Sequence, residues 1–238
     1  MTIDRKASVT ACTDSSPTTG PQSNLDKFLA DLGRTSPSPG VRGRLVFALD
    51  ATASRQPAWD TACKLQADMF REACAAGGLD MQLVYYRGLG ECRASRWISD
   101  SAQLAKTMSQ IMCNAGETQI EKILTHTKKE AKLVPVSALV FVGDAMEENR
   151  DTLIHEASEL GRLKVPAFMF QEGRDREVEQ VFRGIAKATN GAYCRFDPGS
   201  ARQLAELLRA VAAFVVGGIP ALAARKDAGA IKLLGQLK

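Results

Sequence analysis

Polar side chains with hard oxygen atoms cluster directly after an apolar run near the start of the chain. Residues Leu45 to Leu49 are all apolar, and Asp50, Thr52 and Ser54 follow them at alternate positions. An uninterrupted apolar run that ends at a polar residue is typical of a parallel-sheet strand buried on both faces. One carboxylate and two hydroxyls at the end of such a strand are suitable ligands for Mg²⁺ or a similar cation. A simpler interpretation fits equally well, in which Thr52 and Ser54 cap the next helix and Asp50 belongs to a surface turn.

Two later segments carry residues of the same chemistry. Asp144 follows a second wholly apolar run, Ala138 to Val142, and Thr118 stands in a glycine-containing loop at a predicted helix start. The carboxyl ends of parallel strands meet at one edge of the sheet, which is where open α/β sheets bind their ligands. We therefore expect Asp50, Thr118 and Asp144 to lie close together.

The elements that must position these residues alternate between strand and helix patterns. The predicted strands cover residues 45–49, 81–88, 138–142, 166–171 and 192–196, with a weaker edge strand at 92–98. The predicted helices cover residues 57–76, 104–112, 119–133, 149–163, 175–189 and 200–216. This alternation predicts an α/β fold with a doubly wound, mostly parallel central sheet flanked by helices.

The composition of the chain divides it into four parts. Residues 1–24 are rich in Ser, Thr, Pro and Asp, which predicts a disordered tail. Residues 25–42 form a short helix followed by a linker, and residues 43–217 form the α/β domain. Gly217, Gly218 and Pro220 interrupt the pattern, and residues 218–238 are expected to form a C-terminal tail with an amphipathic helix.

Charge and cysteine content exclude several classes of protein. The formal net charge of the 238 residues is only +4, and no block of Lys and Arg indicates nucleic-acid binding. We expect no stretch that reaches the ~20 apolar residues of a membrane span, and the N-terminus has no signal-peptide pattern, so we expect a cytoplasmic protein that does not bind membranes. The six scattered cysteines are expected to be reduced.

The three polar segments together resemble the metal-ion-dependent adhesion site of von Willebrand factor type A domains. The matching motifs are Asp50, Thr52 and Ser54 after the first strand, Thr118 within GETQI, and Asp144 within FVGDAMEE. The resemblance implies a non-enzymatic protein-interaction module that binds Mg²⁺ or Mn²⁺. It implies that the three hydroxyls ligate the cation directly and the two aspartates often through water. An acidic side chain of a protein partner would complete the octahedron.

Three neighbours of these motifs admit more than one role. Arg55, beside the site, would either repel a cation or attract an acidic partner. Glu147 and Glu148 would either add a ligand or interact favourably with a helix start, where carboxylates complement the helix dipole.

Two alternatives to the adhesion-site reading remain open at this stage. In a haloacid dehalogenase-like phosphatase, Asp50 would be the nucleophile and Asp144 would hold Mg²⁺. Thr52 would then stand in the place of an acid/base aspartate, and a threonine hydroxyl is a poor general acid near neutral pH. In a metal-free interaction scaffold, the N-terminal helix or the C-terminal tail would contact partners.

Overall fold

The computed structural model describes residues 42–56, 79–197 and 200–237. The predicted tail at 1–24, almost all of the predicted helix and linker at 25–42, and the helix predicted over 57–76 lie outside the described residues.

Six strands form one sheet in the described part of the chain. They are β1 (Gly43–Asp50), β2 (Leu79–Arg87), β3 (Glu91–Ala94), β4 (Ala138–Gly143), β5 (Ala167–Glu172) and β6 (Ala192–Phe196). Their order across the sheet is β3-β2-β1-β4-β5-β6. All neighbouring pairs are parallel except β2 and β3, which are antiparallel. The predicted α/β fold with a mostly parallel sheet is therefore confirmed, including the short edge strand.

In the residues that the structure describes, six helices cover the two faces of this sheet. They are α1 (Ser101–Ser109), α2 (Ile120–Leu133), α3 (Arg150–Arg162), α4 (Arg176–Ala188), α5 (Ala201–Ala224) and α6 (Ala228–Leu234). Leu45 and Phe47 of β1 pack with α1, α5 and α6, whereas Val46 packs with α2, α3 and α4. Because successive side chains of a strand point to opposite faces, a strand covered on both sides is apolar along its buried part, as residues 45–49 of β1 are.

Side-chain caps explain where three of these helices begin. The side chain of Asn149 accepts a hydrogen bond from the backbone of Thr152 at the start of α3, and Asp175 caps α4 in the same way. Asp100 caps α1, which therefore begins at Ser101, earlier than the predicted residue 104. Met112, predicted to be the last residue of this helix, lies beyond it and is exposed.

The C-terminal residues fold back onto the domain. Helix α5 continues beyond the predicted end at residue 216, but Gly218 interrupts it with a φ of 65° and a ψ of −161°, a conformation that glycine tolerates best. The following helix, α6, contributes the buried residues Ala230 and Leu233 to the core. Beyond it, the side-chain amide of Gln236 accepts from the backbone N–H of Tyr193 at 2.9 Å and donates to its carbonyl at 2.8 Å.

Helix α5 also corrects the expectation that no segment is apolar enough to span a membrane. Its residues Arg202–Ala224 pass that test by length and composition. Leu208, Val211 and Val215 of this helix are buried against the sheet. Burial in a protein core is the usual reason for a helix to be apolar over most of its surface.

Candidate metal centre at the carboxyl edge of the sheet

Asp50 ends strand β1 and is completely buried. Its Oδ1 accepts a hydrogen bond of 2.8 Å from the backbone N–H of Thr52, and its Oδ2 accepts one of 2.9 Å from the hydroxyl of Tyr86. Tyr86 is the residue that pairs with Asp50 in the register between β1 and β2. Asp50 is therefore not a surface turn residue, because its carboxylate is held inside the domain by two donors.

Burial and neighbouring charges oppose each other at the Asp50 carboxyl. Burial raises the pKa of Asp50, the hydrogen bonds from Thr52 lower it, the charge of Asp144 raises it and the charge of Arg55 lowers it. Burial also raises the pKa of Tyr86 well above its ordinary value, and the Asp50 charge adds to this effect. Tyr86 consequently stays protonated and acts as a hydrogen-bond donor to Asp50.

The hydroxyls of Thr52 and Ser54 lie beside each other. Their oxygen atoms are 3.1 Å apart, and Thr52 is buried whereas Ser54 is exposed. Adjacent ligands of an octahedral Mg²⁺ with bonds of 2.0–2.1 Å are separated by about 2.9 Å. The Thr52 side chain makes no capping hydrogen bond to the short 3-10 turn Ala53–Arg55. The spacing of the two oxygens therefore fits two neighbouring ligands of one cation, and Thr52 does not act as a helix cap for that turn.

The loop that carries Thr118 is anchored to the end of β1 and to the end of β2. The backbone N–H of Asn114 donates to the carbonyl of Ala51 at 3.0 Å. Gly116 packs so tightly on Gly88 that an added Cβ would lie 2.2 Å from the Gly88 carbonyl oxygen. Only glycine fits there, and this close approach brings Thr118, which is buried, to the same edge as Asp50.

Thr118 is linked to the loop after β4 by two hydrogen bonds with Glu147. The N–H of Thr118 donates to Glu147 Oε2 at 3.0 Å, and the N–H of Glu147 donates to Thr118 Oγ1 at 2.9 Å. Glu148 accepts from the backbone of Ile120 and Glu121, both at 2.8 Å. The two glutamates therefore serve the start of helix α2, where unpaired N–H groups need acceptors.

Asp144 follows β4, the neighbour of β1 in the sheet. Leu49 pairs with Val142, so Asp50 is level with Gly143, and a Cβ added to Gly143 would lie 3.5 Å from the Asp50 Cβ. Asp144 Oδ1 is buried and has no hydrogen-bond partner among the residues that the structure describes. A buried carboxylate oxygen without a partner is costly, so this atom is the one at the site that most needs a cation or a donor.

Arg55 points into the protein and away from solvent. Its side chain is 1% exposed, and its Nη2 lies 3.3 Å from Glu172 Oε2 at the end of β5. This burial is incompatible with direct contact between Arg55 and a protein partner.

The five predicted residues thus stand in one region at the carboxyl edge. Hydrogen bonds connect Asp50, Thr52 and Ser54, electrostatics couples Asp50 with Asp144, and the Glu147 bonds tie Thr118 to the loop that begins at Asp144. Within residues 42–56, 79–197 and 200–237 there is no group of three or more His, Cys, Asp or Glu side chains suited to a metal. A cation at this edge would therefore need the hydroxyls as ligands.

Sequence reasoning missed two residues of this region, Tyr86 and Glu172. Each lies in the last two residues of its strand, Tyr86 in β2 and Glu172 in β5. Only the order and register of the strands bring these side chains to the site. A prediction of the strand order β2-β1-β4-β5 from the sequence would have identified these two residues as neighbours of the site.

Comparisons with known proteins show the fold of this chain. No protein-family model and no curated protein matches it. A von Willebrand factor type A protein from Catenulispora acidiphila is 18% identical over 74% of this chain, with a TM-score of 0.61, and the chain spans 43% of that protein's length. The vWF domain of the type V pili tip protein Mfa5 from Porphyromonas gingivalis is 11% identical, with a TM-score of 0.54, and the match covers 72% of this chain and 94% of that one.

A third structure agrees with these two. The SpRpn10 VWA domain is 11% identical, with a TM-score of 0.53, over 69% of this chain and 95% of that one. The strand order, the flanking helices and these matches lead to the same conclusion. The chain has the fold of von Willebrand factor type A domains.

Proposed function

We propose that this protein is a non-enzymatic interaction domain that binds Mg²⁺ or Mn²⁺ and uses the cation to engage an acidic residue of a protein partner. The observation that carries the proposal is the buried Asp144 Oδ1, which has no hydrogen-bond partner in the described part of the chain. A divalent cation nearby would compensate that charge, and the oxygen-only donor set suits these hard ions.

Each residue of the site has a distinct part in this proposal. Thr52, Ser54 and Thr118 supply neutral hydroxyl oxygens, while Asp50 and Asp144 supply the negative charge, through water or directly. Few charged ligands and several retained waters are typical of Mg²⁺ sites in proteins. When bound, the cation supplies a positive centre that a carboxylate of the partner can join.

The surroundings of Thr118 make a cation necessary for this kind of partner. A cavity of ≈ 230 Å³ beside Thr118 is lined by the acidic residues Glu117, Glu121 and Glu148, with one lysine, Lys122. Lys122 Nζ already donates to Gly90 O and Gln119 Oε1. Like charges repel an acidic partner here, so engagement of such a partner should depend on the cation.

The phosphatase alternative conflicts with the position of Asp50. A nucleophilic carboxylate must reach the phosphorus atom of its substrate, but Asp50 is 0% exposed and each of its oxygens accepts a hydrogen bond. A metal-free scaffold remains the alternative that the experiment below tests.

The experiment compares thermal unfolding in EDTA with unfolding in millimolar Mg²⁺ or Mn²⁺. At a cation concentration 100 times the Kd, binding to the folded state adds about 2.7 kcal/mol. For a domain of this size that raises the Tm by about 5–10 °C. We expect the rise in the wild type and its loss in Asp144→Asn and Ser54→Ala. Asp197→Asn, which changes an exposed carboxylate at the end of β6, should keep the rise.

Asp50→Ala is unsuitable for this comparison because it also removes the acceptor of two buried donors. An equal Tm with and without cation in the wild type would contradict metal binding and favour the scaffold. Engagement of an acidic partner is tested separately with an oligo-glutamate peptide, which should bind in Mg²⁺ and not in EDTA. Peptide binding that is insensitive to EDTA would contradict cation-mediated engagement.

A further inference from the structure

Arg55 is a buried cation in the same region as the predicted metal ligands. Its guanidinium forms an ion pair with Glu172 at 3.3 Å. Its Nε and Nη1 are buried and have no hydrogen-bond partner among residues 42–56, 79–197 and 200–237. A guanidinium has five donors, and a buried one normally uses most of them. Among the residues that the structure describes, the pairing of Arg55 is thus incomplete.

Arg55 and Glu172 belong to segments on either side of the strand that leads to Asp144. Arg55 follows β1, Glu172 ends β5, and β4 lies between these two strands. Gly143 of β4 pairs with Gln171 of β5, so Asp144 and Glu172 each lie one residue beyond the same row of the sheet. The ion pair between Arg55 and Glu172 therefore links the segments that flank the end of β4.

The charges of these residues act on one another. Among the effects on Asp50, the positive charge of Arg55 lowers its pKa and the negative charge of Asp144 raises it. Within the described part of the chain, Arg55 has unused donors and Asp144 has an unused acceptor at the same edge. A divalent cation and the Arg55 guanidinium would therefore compensate the same carboxylates.

We propose that Arg55 is a built-in competitor of the divalent cation and that its ion pair with Glu172 sets how strongly it competes. Without a cation, the guanidinium compensates the charges of Asp50 and Asp144. With a cation, Glu172 retains the guanidinium on the β5 side. This inference rests on the proposed function and deepens it, because it identifies the residues that determine the cation affinity of that site.

Opposite effects are expected from the two members of the ion pair. Arg55→Met removes a positive charge next to the cation and should tighten Mn²⁺ binding about tenfold or more, since charge repulsion at this range in a partly buried site is strong. The same variant should lower the Tm in EDTA, because it leaves the carboxylates uncompensated. Glu172→Gln releases the guanidinium toward Asp144 and should weaken Mn²⁺ binding.

The test is calorimetric titration of the full chain with Mn²⁺, together with Tm measurements in EDTA. Arg162→Met is the matched control, because Arg162 is an exposed arginine at the end of α3 and its removal should leave the Mn²⁺ affinity unchanged. Arg55→Lys keeps the charge and should bind Mn²⁺ within about threefold of the wild type, on the same Coulomb argument. If Arg55→Met does not fold, Glu172→Gln and Arg55→Lys carry the test.

The outcomes separate this inference from the proposed function. Equal Mn²⁺ affinity in the wild type and Arg55→Met, or unchanged or tighter binding by Glu172→Gln, overturns the competitor role and leaves the metal site intact. Binding by Arg55→Met alone, with an unresponsive wild type, supports the competitor role and contradicts the proposed function. Absence of binding in both proteins overturns both.

Discussion

Tyr86 shows how a single residue holds the centre of the site in place. It is fully buried, stacks near Phe141, and donates its hydroxyl hydrogen to Asp50 Oδ2. Asp50 in turn accepts from the Thr52 backbone, which fixes the turn that carries the two neighbouring hydroxyls. Removal of one phenolic oxygen should therefore affect both the stability of the domain and the orientation of the Asp50 carboxylate.

We predict that Tyr86→Phe lowers the free energy of unfolding in EDTA by about 1–3 kcal/mol, because a buried carboxylate oxygen loses its donor. Urea unfolding measures this change. Tyr85→Phe is the matched control, since Tyr85 is only partly buried and packs on the opposite face of the sheet. A loss in Tyr86→Phe no larger than that in the control would contradict the role assigned to this hydroxyl.

The sequence could predict the residues that follow the strands, but not those that face them from a neighbouring strand. Asp50, Thr52 and Ser54 are recognisable because an apolar run ends just before them, and Asp144 for the same reason. Tyr86 is one of two adjacent tyrosines, Tyr85 and Tyr86, and only the register of β2 with β1 decides which of them meets Asp50. Whether these residues bind a cation stays a prediction.

At the scale of elements, helix α2 is attached to strand β2 by a partly buried polar contact. His126 Nε2 lies 2.8 Å from Gln82 Oε1, and the amide nitrogen of Gln82 donates to the Ser95 carbonyl at 3.2 Å. A neutral imidazole with its hydrogen on Nε2 fits this arrangement. Burial lowers the pKa of His126, Glu130 opposes this effect and Lys129 adds to it.

This histidine predicts a pH dependence of stability. The unfolded chain takes up a proton at His126 near pH 6.5, whereas the folded chain resists protonation there. The contribution of neutral His126 to the free energy of unfolding is therefore present above pH 6.5 and is lost as the pH falls through the lowered pKa. We expect the Tm of the wild type to fall more between pH 7.5 and pH 5.5 than that of His126→Gln. His155→Gln, which alters an exposed histidine, should keep the wild-type slope. Equal slopes in wild type and His126→Gln would contradict this prediction.

The helices and strands were largely predictable from the sequence. The differences between predicted and observed helix ends have identifiable causes. Asn149 and Asp175 are strong N-cap residues, so the starts of α3 and α4 could be read from the sequence. The end of α5 could not, because Gly218 and Pro220 interrupt the helical path without ending the packing of the chain, and Leu222 beyond them is buried. Apolar contacts between distant segments outweighed the local helix-breaking signal there.

At the scale of the whole molecule, the C-terminal segment completes the core. Gly229 of α6 approaches α5 so closely that an added Cβ would lie 2.4 Å from the carbonyl oxygen of Glu206. Leu222, Ala230 and Leu233 belong to the same apolar cluster as strand β1. The sequence predicted a C-terminal tail with an amphipathic helix, and in the structure the apolar face of this segment packs on its own domain.

We predict that Leu233→Ala lowers the free energy of unfolding by about 2–5 kcal/mol, because it leaves a cavity in that cluster. Urea unfolding with a fluorescence or circular-dichroism readout measures the loss. Ile231→Ala is the control from the same helix, since Ile231 is 63% exposed and its truncation should change little. Similar values for the two variants would indicate that α6 does not belong to the core in solution.

The contact between Gln236 and Tyr193 has a consequence for how other chains can approach the sheet. Strand β6 is one edge of the described sheet, and the Gln236 amide occupies a main-chain donor and acceptor that an incoming strand would use. The other edge, β3, is four residues long and carries the ion-paired Glu91 and Arg93. Short, charged or covered edges oppose strand addition. Polymerisation through either edge of the described sheet is thereby disfavoured.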